Sequence, residues 1–181
     1  MGMSTQVING ISVDIAGTDE GGAPPNSSST QLQQLVRTDH LRLIHGGIIV
    51  GERPPLIHRH MPDGTTRDVA IGGSDSRTMS IRLHFGIFQK PWNRRVYNQT
   101  VLHEAGHIVD WSLGCMTSIR SRDPELHREL TSREYSGAAT GAGEYFGDAY
   151  KNYLLGRASS AQRRAVEMTA FRAVAPIAVH R

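Results

Sequence analysis

His103 and His107 stand four residues apart with Glu104 beside the first, in the run VLHEAGHIVDWSLG (101–114). On a helix that spacing stacks the two imidazoles one turn apart on one face. Two imidazoles so placed can share one zinc ion, and a glutamate beside them can act as a base on metal-activated water. The same pattern also suits a solvent-facing pair or two histidines satisfied within a core. The metal reading therefore needs a third protein ligand.

GEYFGDAYKNYLLG (143–156) offers one, because Glu144 and Asp148 are again four apart and share a helix face. In such a pair the first carboxylate can take the metal, while the second orients a ligating histidine through its other ring nitrogen. The competing reading is an acidic helix start that complements the helix dipole, with Asp148 solvated.

HEAGHIVD followed by EYFGDAY resembles the gluzincin metallopeptidases, and more narrowly the anthrax-lethal-factor-like toxin and effector peptidases of bacteria. The resemblance covers about residues 98–155. It implies a zincin-like α+β domain in which a small mixed sheet packs against the HExxH helix and a second, ligand-bearing helix. It also implies one Zn2+ ion held by His103, His107 and Glu144, with Glu104 as general base and Asp148 supporting a histidine ligand. The implied activity is zinc-dependent endopeptidase cleavage of a protein or peptide, in a bacterial toxin or effector. The alternative is a catalytically silent, zinc-bound protein that captures peptide. Three positions depart from the pattern. Gly147 stands where these toxins favour alanine, and Asp148 where they more often carry glutamate. Their oxyanion tyrosine falls at position 137, here glycine. Tyr135 is the nearest substitute, with His127 as another donor to consider.

Several elements must position these groups. Leu32, Leu35 and Val36 share a helical face from Thr30 onward. HGGIIVGER (45–53) reads as a buried strand, followed by strands in RDVAIGG (67–73) and TMSIRLHFG (78–86). In the last, Met79, Ile81, Leu83 and Phe85 alternate with Ser80, Arg82 and His84. That alternation is read as a strand at the sheet margin, with Ser80, Arg82 and His84 facing an extended substrate. The metal helix carries the stripe Val101, Ala105, Ile108 and Val109, with Asn98 or Thr100 as cap and Gly114 as stop. Residues 118–143 are polar and read as turns. Helices follow over 143–155 and 159–174, the latter capped by SSAQ. His58 and His60 lack acidic or cysteine partners nearby, which argues against a second metal.

Composition sets outer bounds. The chain has 181 residues, fitting one domain over 29–181, with residues 1–28 expected as a flexible arm that could pair as a hairpin around Asn9-Gly10. A net charge of +3 mandates neither nucleic acid nor an anionic membrane surface. One cysteine, Cys115, excludes an internal disulfide. No apolar run is long enough to span a bilayer, and the amino terminus lacks a cleavable signal pattern. A chain made in the cytoplasm, staying there or exported without a cleaved signal, is the expectation. Oligomeric state is left open.

Overall fold

A computed structural model describes residues 3–8, 10–16, 31–51, 58–60, 66–68, 72–84, 91–132 and 142–171. The architecture is mixed α+β. The main sheet contains β1 (Met3–Ile8), β2 (Ile11–Ala16), β3 (Ile48–Gly51), β6 (Gly72–Asp75) and β7 (Ser80–His84), in spatial order β1-β2-β3-β7-β6. The pairs β2–β3 and β3–β7 are parallel, whereas β1–β2 and β6–β7 are antiparallel. A separate hairpin joins β4 (His58–His60) and β5 (Thr66–Asp68).

Two sequence expectations are corrected here. The described part of the supposed arm, residues 3–16, is a hairpin whose second strand pairs with β3. Its Ile11 is buried in the common core. The second correction concerns β7, which is not a margin. It lies between β3 and β6, so both of its backbone edges are occupied. Period-two burial reports which faces of a sheet are wet, not which strands lie at its edges. Ile81 and Leu83 are fully buried on one face, and Arg82 on the other is exposed. Ser80 is buried and bonded to Thr78, and Arg82 pairs with Asp75. The His84 side chain, Phe85 and Gly86 lie outside the described residues. The strand-margin argument for Ser80, Arg82 and His84 as substrate-facing residues therefore fails. Among the described residues, the margin on this side is β6.

Helices supply the rest. Residues 31–35 form α1, followed by α2 (Thr38–Leu41), α3 (Pro91–Leu113), α4 (Cys115–Arg122), α5 (Pro124–Ser132), α6 (Ala142–Leu154) and α7 (Ser160–Thr169). The predicted stripe of α3 holds, with Val101, Leu102, Ala105, Ile108 and Val109 all inaccessible to solvent. The helix starts two turns before the expected cap, at Pro91, where a residue without an N–H loses nothing. Gly114 takes a left-handed conformation and ends α3. The Asp110 carboxylate then accepts from the Met116 N–H at 2.7 Å, capping α4 from the preceding turn. The polar stretch read as turns includes α4 and α5, because Ile119, Leu126 and Leu130 are buried among charged neighbours. Helix α7 has the expected capping box between Ser159 and Gln162, but ends at Thr169. No described helix is long and apolar enough to cross a membrane.

His40 fastens α2 to the helical layer. Its Nδ1 accepts from the Tyr150 hydroxyl and its Nε2 donates to the Ala170 carbonyl, each at 2.8 Å. Burial lowers the imidazole's proton affinity, against the pull of the Ala170 carbonyl and Asp39. Below the ordinary value of about 6.5, the unfolded chain gains a proton there that the folded chain resists. This contribution to stability is full above that pH and is lost as pH falls. The expected result is a wild-type melting temperature that drops on acidification from pH 7.5 to 5.5 relative to His40→Gln. Thermal melts of both proteins across that range check it, and parallel curves would contradict it.

Candidate metal centre

Helices α3 and α6 cross closely at two glycines, Gly106 and Gly147. A Cβ on Gly106 would lie 2.9 Å from the Gly147 Cα and 3.0 Å from the Tyr150 Cβ. One on Gly147 would lie 3.0–3.1 Å from three atoms of the His103 ring. Gly147, which stands where the resemblance favours alanine, is thus the floor on which His103 rests.

That crossing brings the ligand candidates together. The His103 Nε2 lies 3.0 Å from the His107 Nε2 and 3.2 Å from a Glu144 oxygen. The His107 Nε2 lies 3.6 Å from the other Glu144 oxygen. Ligand atoms placed tetrahedrally around one zinc at ordinary bond lengths are separated by about 3.3–3.6 Å. The observed separations bracket that edge, and the donor set suits a divalent cation. Two ring nitrogens 3.0 Å apart are compatible when one carries a proton or when both face a shared cation.

Asp148 does what its spacing predicts. Its carboxylate accepts from the His103 Nδ1–H at 2.8 Å, which fixes the tautomer and turns Nε2 toward His107 and Glu144. Burial alone would raise Asp148, but hydrogen bonds from His103 and Lys151 hold it below the usual carboxylate range. The Lys151 ammonium reaches the same Asp148 oxygen at 2.5 Å. Burial disfavours the charged form of His103. Hydrogen bonds to Asp148 and Glu144, with the charge of Glu104, outweigh it and push the imidazole up to about 9. A cation bound there must displace that proton, so its uptake is coupled to proton release.

Glu104 lies beside this cluster and is 7% exposed. Burial raises its proton affinity, with His103 and a hydrogen bond from Ser74 opposing the shift. Trp111, one turn beyond His107, stacks on its ring with centroids 5.8 Å apart while staying 42% exposed.

All five helix-borne predictions, His103, Glu104, His107, Glu144 and Asp148, therefore meet. Tyr135 lies outside the described residues. His127 is on α5, which packs against α4, α6 and α7. Ser74, Lys151 and Trp111 were missed. Lys151 and Trp111 had a usable signal, each lying within one helical turn of a recognised residue. Ser74 had none, because its neighbour is 30 positions away. Cys115 is buried and pushed up to about 12 by that burial, so it is no nucleophile. No protein-family model matches the chain, and no curated protein matches its sequence.

Proposed function

We propose that this chain is a zincin-like, zinc-dependent endopeptidase of the gluzincin kind, working as a bacterial toxin or effector on a protein substrate. The observation that carries the reading is the convergence of His103, His107 and Glu144 within 4.8 Å, next to a buried glutamate that is not among the three. The biological setting rests on the motif resemblance.

Zinc at that position supplies Lewis acidity toward water and toward a peptide carbonyl. Asp148 holds the proton on the His103 Nδ1, keeping Nε2 directed to the ion. Glu104 takes a proton from the attacking water on a carboxylate oxygen and passes it to the departing amine nitrogen. Its burial favours the protonated form, which suits a group that must hold the proton briefly before releasing it. The substrate chain lies along the outer edge of β6, the margin nearest this glutamate, pairing through its main chain.

Two measurements test the reading together. Purified protein should carry about one zinc per chain, a single three-ligand His2Glu site with one position left for water. Incubated with a bacterial or host-cell proteome, it should generate new amino termini that a chelator suppresses and zinc restores. Less than a tenth of an equivalent of zinc at neutral pH, or an unchanged set of termini, would reject the proposal.

A further inference from the structure

Strand β6 and helix α3 run in step. Gly72 lies against Thr100, with the space of its missing Cβ only 2.9 Å from the Thr100 Cγ2 and 3.2 Å from the Leu83 Cδ2. Two residues along the strand, Ser74 lies on the same face and meets Glu104, four residues along the helix. Two strand residues advance about 6.6–6.8 Å and four helical residues about 6 Å, so the two contacts stay in register. The Ser74 hydroxyl donates to the Glu104 Oε2 at 2.9 Å, the direction being fixed because an ionised carboxylate only accepts.

The geometry points to Ser74 as the residue that positions the general base: it pins one oxygen of Glu104 from the sheet margin and thereby presents Oε1 to the water. This inference rests on the peptidase reading for the role of Glu104, though not for the hydrogen bond itself. A carboxylate on three rotatable bonds, held at one oxygen, loses the rotamers that would swing it out of line with a water. Ser74 does not touch the reacting atoms, so its effect falls on the chemical step and not on substrate capture or ion uptake. The arrangement also gives β6 a second task. The strand proposed to border the substrate also aligns the base.

The test uses full-length, zinc-loaded protein carrying 13C-labelled glutamate side chains, with Glu104→Gln identifying the Glu104 carboxyl resonance. Ser74→Ala should shift that resonance at fixed pH, and Ser74→Thr, which restores the hydroxyl, should return it. On a synthetic peptide spanning a site found in the proteome digest, Ser74→Ala should lower kcat about ten- to a hundredfold, with KM and zinc content unchanged and with rescue by threonine. An unmoved resonance in Ser74→Ala overturns the inference, as does a fall that threonine fails to rescue or that appears in KM alone. If the wild-type chain cleaves nothing while the resonance still moves, the hydrogen bond stands and the peptidase reading falls.

Discussion

Glu104→Gln should keep about one equivalent of zinc while losing hydrolysis by about 10²- to 10⁴-fold, the usual contribution of a positioned base. The substitution preserves shape and an oxygen for the Ser74 hydroxyl, but removes the group that accepts the proton. The ion should be retained for a reason visible in the site. Glu104 is not one of the three converging ligands. Its negative charge also helps keep His103 protonated, so removing it eases the proton loss that ion uptake requires. Elemental analysis and peptide cleavage on the same preparation check both halves. Equal hydrolysis in the two proteins would leave Glu104 without a catalytic role. Loss of zinc would mean that it belongs to the ligand set. A zinc-loaded wild type that binds peptide and never cuts it would establish capture without catalysis.

Gly106→Ala is expected to lower the melting temperature by about 2–12 °C, from a net loss of about 1–3 kcal/mol. Helix propensity argues the other way, since alanine inside a helix is favoured over glycine by about 1 kcal/mol. Packing decides the sign. The added methyl would sit 2.9 Å from one backbone atom of α6 and 3.1 Å from another, the Gly147 carbonyl oxygen, and backbone cannot rotate away. The helices must separate. Because two ligands ride on α3 and the third on α6, ion affinity should fall about ten- to a hundredfold with the stability. Differential scanning calorimetry and zinc titration read the two effects. A higher melting temperature with unchanged affinity would show that the crossing is looser than its contacts indicate.

The site was legible in sequence to the extent that its parts are local. His103 and His107, like Glu144 and Asp148, are placed on common faces by helical period alone, and the period was readable because buried residues such as Ala105 and Ile108 repeat with it. Convergence of the two pairs was not local; the need for a third ligand and the resemblance both suggested it, but neither gave its cause. The crossing at Gly106 and Gly147 supplies the physical cause that no propensity could. Sheet margins were illegible for the same reason. Alternation along residues 79–85 says that one face is wet, whereas it does not say that β7 is flanked on both sides, by β6 just before it and by β3 about 33 residues earlier. The hairpin at residues 3–16 was weighed beside disorder, since what commits it is pairing with β3, about 35 residues later. In α5 the two leucines at i and i+4 were present, but the charged run around them hid their stripe.

The sheet has two margins of unequal character. On the side next to Glu104, β6 is four residues long, so only two residues direct main-chain groups outward, too few to template a growing stack. On the far side β1 spans six residues, MSTQVI, without a charge, and Val7 is 74% exposed. Among the described residues nothing pairs with its outer edge. If the peptidase proposal holds, colloidal behaviour and recognition fall at opposite ends of one sheet. Polymerisation between chains would begin at β1, and a lysine at Val7 would block it at the margin opposite β6.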